Sequence, residues 1–95
     1  MPSLPDFDDA RFASAPLYAG AARVTGFAFR AGQGLKTHTV PDEAFLLVTE
    51  GSAGVTVDGT LHTLGPGDGI VLPAEVPHAV DAPTDARLVL IRSRA

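Results

Sequence analysis

Three histidines, His38, His62 and His78, and eleven carboxylates are the side chains of this 95-residue chain able to ligate a metal ion or to move a proton near neutral pH. The chain has no cysteine, which removes disulfides, thiolate metal sites and cysteine nucleophiles together. Any metal is therefore held by His, Asp or Glu. One imidazole alone does not retain a metal, so the chemistry depends on which of these distant residues the fold brings to one place. Asp68, in the turn Gly65-Pro66-Gly67-Asp68-Gly69, has the commoner task of bracing its own backbone.

The elements that must do the positioning are short. Hydrophobic residues form 45% of the chain and charged residues 19%, in brief apolar segments divided by Gly and Pro, the profile of one folded domain with a single core. Residues 1–20 hold three prolines and the acidic group Asp6, Asp8 and Asp9 without a sustained period, and read as an N-terminal arm. From Arg23 onward the pattern predicts eight strands: Val24–Arg30, Lys36–Val40, Ala44–Thr49, Gly54–Asp58, Thr60–Leu64, Gly69–Leu72, His78–Asp81 and Arg87–Arg92. Asp58-Gly59 is a type I′ hairpin signal, because both central residues of that turn need positive φ. Pro73 and Pro77 bracket a tight connection that neither a helix nor a central strand can contain. Phe27 and Phe29 alternate with smaller residues, as core positions do, and His62 shares strand parity with inward Leu64. Residues 21–95 are thus expected to form one all-β domain of short antiparallel strands, a barrel or a sandwich, and full closure into a barrel would also remove exposed sheet edges.

Within this frame, Gly32-Gln33-Gly34-Leu35-Lys36-Thr37-His38, followed by Leu46 to Gly51 and by Val55-Thr56-Val57-Asp58-Gly59, resembles the first motif of small cupins and its hairpin. Gly67-Asp68, a short apolar strand to Pro73 and then Ala74-Glu75-Val76-Pro77-His78 resembles the second motif. The resemblance runs from about Phe27 to Ile91. It implies a cupin jelly-roll barrel in which His78 opens a strand facing the barrel mouth, across from His38. It also implies one divalent metal ion, for which iron, manganese, zinc, nickel or copper would suit, with His38, Glu43 and His78 as its ligands. Val40 stands where the first motif has its second histidine. The motif's glutamate falls on Ala44 by counting either six on from His38 or seven back from Gly51, one position past Glu43. A one-residue offset turns a strand side chain to the other face, so Glu43 joins the set only through a bulge or the loop at Pro41-Asp42. Glu75 replaces the second motif's usual glycine, and Ala82 stands where Asn is common.

The net charge of −4 and the spread of Arg11, Arg23, Arg30, Lys36, Arg87, Arg92 and Arg94 along the chain argue against nucleic-acid binding. No apolar run approaches the roughly 20 residues that span a bilayer, and the first residues carry no export signal, so the expected location is cytoplasmic. The expected partners are a small-molecule ligand and a second copy in a homodimer, with no nucleic acid and no membrane. Two readings of the mouth stay open, a metal-bearing site of unassigned reaction and a metal-free small-molecule binding or sensor module. A structural module that works through a sheet edge or the arm is a third.

Overall fold

Alternating apolar and polar side chains, interrupted every few residues by Gly or Pro, yield short strands in place of helices. The computed structural model describes residues 2–93; Met1, Arg94 and Ala95 lie outside it. Nine strands form: β1 (Ala13–Ala19), β2 (Ala22–Phe29), β3 (Gly34–His38), β4 (Ala44–Glu50), β5 (Ala53–Val57), β6 (Thr60–Leu64), β7 (Gly69–Leu72), β8 (His78–Asp81) and β9 (Ala86–Ser93). There is no helix among the described residues. The strands pair antiparallel in two sheets, β1-β2-β9-β4-β7 and β3-β8-β5-β6. Between the sheets lies a core in which Phe29, Leu46, Val48, Val55, Val80 and Leu88 interdigitate. This is the all-β domain that the strand and turn pattern predicts and the jelly-roll barrel that the motif resemblance implies.

β6, β7 and β8 have the predicted limits, and the Asp58-Gly59 turn has φ of 49° and 82°, with Val57 paired to Thr60 across it. β1 is the strand that the sequence pattern does not reveal. Its Pro16 argues against a ladder position, yet β1 is an edge strand, where a missing N–H costs little, and its register slips between Pro16 and Tyr18.

The residues before β1 are fastened to the outer face of the five-stranded sheet. Leu4 and Pro5 lie over Gly26, where a Cβ would come within 2.8 Å of Leu4 Cδ2, so glycine is what permits the close approach. The guanidiniums of Arg30 and Arg87 lie over the Phe7 ring, 4.7 and 4.1 Å from its centroid. Arg30 also pairs with Asp9 at 2.7 Å and Asp85 at 3.0 Å, and Arg87 pairs with Glu50 at 2.7 Å and donates to the Pro5 carbonyl at 3.0 Å. The Gln33 amide donates to the Asp8 carbonyl at 2.8 Å. Exposed ion pairs are individually weak, but here they converge on one ring. Phe7→Ala is expected to lower unfolding stability by about 1–2 kcal/mol, through lost ring burial and lost cation–π contact, as read from urea denaturation. An unchanged urea midpoint would show that the segment adds nothing to the fold.

A histidine pair at one end of the barrel

β3 ends at His38 and β4 begins at Ala44, while β7 ends at Leu72 and β8 begins at His78, so two connections cross the same end of the barrel. Backbone bonds tie this end together. Glu75 N–H donates to the Val40 carbonyl at 2.8 Å, and Asp58 N–H donates to the Pro77 carbonyl at 2.9 Å. Glu75 has φ of 67°, a left-handed conformation that suits the glycine usual at this point of the second cupin motif. A side chain there costs on the order of 1 kcal/mol.

His38 meets His78 because β3 is bulged. Leu35 pairs with Val80 and His38 with His78, so three steps along β3 match two along β8. Strict alternation from core-facing Leu35 would turn His38 outward; the extra residue returns it to the face that His78 and Val80 share. The two rings stand edge to face, with centroids 4.4 Å apart and planes at 67°. His78 is 5% exposed and is the buried polar residue of the core, whereas His38 is exposed at the rim.

Each Nδ1 faces a carbonyl two residues earlier on its own chain segment, His38 to Lys36 at 2.7 Å and His78 to Val76 at 3.2 Å. A carbonyl only accepts, so each ring, when neutral, carries its proton on Nδ1 and keeps a lone pair on Nε2. Burial pushes the His78 imidazole below its ordinary value of 6.5; the Val76 carbonyl opposes this and the neighbouring His38 reinforces it. Two unprotonated Nε2 atoms can accept hydrogen bonds from a ligand or donate electron pairs to a metal ion.

Glu43 is not brought to the pair. Ala44 takes the inward position of β4 and is buried, while Glu43 is exposed and lines a groove with Phe45, Val71 and Ile91. The inward place that the resemblance gives to a glutamate therefore holds a methyl group. His62 pairs across from Val55 but is exposed on edge strand β6, and Asp68 braces its turn by accepting from Gly65 N–H at 2.9 Å. Among the described residues no three His, Asp or Glu are grouped so as to hold a metal ion. Across from the histidines, the last inward row of the five-stranded sheet joins Arg23, Arg92, Ala44 and Leu72 as cross-strand partners. The two arginines are spread along the sequence and meet only through this register.

A family model described as the cupin domain matches residues 27–92, and the chain belongs to that family. An RmlC-like cupin protein from Desulfovibrio desulfuricans is 28% identical, with a TM-score of 0.86 over 98% of this chain and 92% of that one. A cupin 2 conserved barrel domain protein from Leptotrichia buccalis is also 28% identical, with a TM-score of 0.88 over 95% of this chain and 44% of its own. Salicylate 1,2-dioxygenase from Pseudoaminobacter salicylatoxidans shares the fold at 24% identity and a TM-score of 0.81, over 94% of this chain and 28% of its own. No curated protein matches the chain. No helix among the described residues is long and apolar enough to cross a membrane.

The lowered proton affinity of His78 has a defined effect on stability. Its folded value lies below the unfolded one, so the unfolded chain binds more protons as the pH drops through 6.5. In chelator-treated protein the contribution of the neutral ring should be complete above that value and should decline as the pH falls from it toward the folded value. Urea midpoints measured against pH should therefore fall more steeply on the acid side for the native chain than for His78→Gln. Parallel curves would mean that burial does not hold the ring neutral.

Proposed function

We propose that this cupin binds a small molecule in the mouth of its barrel, with His38 and His78 as the polar groups that receive it and one divalent metal ion as the group their Nε2 atoms would hold. The observation that carries this reading is the bulge-dependent meeting of two imidazoles whose Nδ1 atoms are engaged by backbone carbonyls and whose Nε2 atoms are not. The donor chemistry fits a metal of the iron, manganese, zinc, nickel or copper group. It supplies two nitrogens without a carboxylate, so a bound ion would keep several positions for water or ligand and act there as a Lewis acid. The reaction class stays unassigned, because cupin barrels carry enzymes and binding proteins alike.

A metal-free binding module is the second reading, favoured by Val40 and Ala44 in the places of the motif's other histidine and its glutamate. The imidazoles would then serve as hydrogen-bond acceptors alone. Elemental analysis of untagged protein after incubation with manganese, zinc or nickel separates the two. One equivalent of ion in the native chain and less than a tenth of that in a His38→Ala, His78→Ala double variant is expected; no retention after supplementation leaves the metal-free reading.

The same reading includes a homodimer in the cytoplasm. The location is supported by the cysteine-free composition. The dimer is supported by an apolar row on the outer face of the five-stranded sheet. Val71, Phe45, Ile91, Val24 and Tyr18 are successive cross-strand partners there, and Tyr18, Val71 and Phe45 are 54%, 48% and 40% exposed. Sedimentation equilibrium should give twice the chain mass for the native protein and the chain mass for Phe45→Asp. A monomeric native protein would remove the dimer.

A further inference from the structure

We infer that the ligand of the barrel mouth is a small organic carboxylate, held between the guanidiniums of Arg23 and Arg92 on one sheet and the histidine pair on the other. This rests on reading the His38–His78 end as the binding mouth, and adds the charge and chemical class of what enters it.

Strand alternation sets the direction of both arginines. On β9, Leu88 and Leu90 pack into the core while Ile91 is exposed, so strand alternation puts Arg92 on the inward face. On β2, Phe27 and Phe29 face the core and the register with β9 is unbroken, which puts Arg23 on the inward face as well, at its exposed rim. Arg23 and Arg92 are direct cross-strand partners, and Arg92 is in turn the partner of Ala44, the residue that starts β4 after the His38 connection. The arginines thus occupy the same end of the barrel as the imidazoles.

Charge makes the arrangement informative. Like charges directly opposite on one face of an antiparallel pair repel and destabilise it. Elsewhere on this sheet the fold neutralises its arginines, since Arg30 pairs with Asp9 and Asp85 and Arg87 pairs with Glu50. The side chains of Arg23 and Arg92 have no ion-pair or hydrogen-bond partner among the described residues. An anion would relieve the repulsion, and a guanidinium fork matches a carboxylate in two hydrogen bonds. Ala44 belongs to the same logic. A glutamate in its place would stand beside Arg92 and neutralise it, whereas alanine leaves the positive charge to a ligand.

The test is an amide-resonance titration of chelator-treated protein with benzoate, pyruvate and succinate, and with benzamide as the uncharged counterpart of benzoate. Saturable shifts are expected at Arg23, Arg92 and Ala44 for at least one carboxylate, with benzamide binding at least about tenfold more weakly than benzoate if benzoate is that ligand. Arg23→Gln and Arg92→Gln should each weaken the carboxylate by about tenfold, and Arg11→Gln, outside the mouth, should not. The His38→Ala, His78→Ala double variant should retain saturable carboxylate shifts at the arginines. Failure of all three acids to bind, or binding unaffected by both arginine substitutions, overturns the carboxylate assignment. Saturable benzamide binding that the histidine variant abolishes and the arginine variants leave intact would overturn it too, while leaving the mouth as a binding site.

Discussion

One inserted residue in β3 governs the chemistry at the barrel mouth. Because three residues of β3 span the same distance as two of β8, His38 is turned onto the face occupied by His78, and the rings come within 4.4 Å of each other. In a regular ladder the two imidazoles would lie on opposite sides of the sheet, and His78 would be a single buried histidine. The backbone carbonyls of Lys36 and Val76 then select the tautomer that turns both Nε2 lone pairs outward from the engaged nitrogens. Burial holds His78 in the neutral form suited to that role.

The two sheets supply opposite kinds of group to this end. The four-stranded sheet contributes imidazoles held by a Pro-bracketed connection, whose strained Glu75 is fastened to the β3–β4 link through Val40. The five-stranded sheet contributes two cross-strand arginines, Arg23 and Arg92, the second paired with Ala44. Its other two arginines are spent on the N-terminal segment, where they cover Phe7 and pair with carboxylates on both sides. One sheet therefore carries a neutralised pair of arginines on its outer face and, on its inner one, a pair without carboxylate partners among the described residues. That difference follows from strand parity and not from composition.

Much of the fold is legible in the residues. Asp58-Gly59, the Gly65 to Gly69 turn and the proline bracket mark chain reversals by φ requirements that few other residues meet, so the limits of β6, β7 and β8 follow from local sequence alone. β1 is hidden by its proline, which an edge strand tolerates. Of the candidate site residues, His38 and His78 come together, whereas Glu43 is exposed, its carbonyl accepting from Ser93 N–H and its side chain lining a groove with Phe45. Arg23 and Arg92 carry no signal at all. They lie far apart in sequence and become neighbours only through the β2–β9 register.

The sequence by itself therefore determined the elements whose causes are local: strand periodicity, turn conformation, the absence of thiol chemistry and the family to which the motifs point. Tertiary structure alone decided which face each functional side chain takes and which side chains oppose one another. A strand's side-chain direction reverses with every residue, and a bulge or a register shift is set by the pairing of distant segments. Whether an imidazole, a carboxylate or a guanidinium reaches the mouth is thus a property of the closed sheet, not of the residue and its neighbours in the chain.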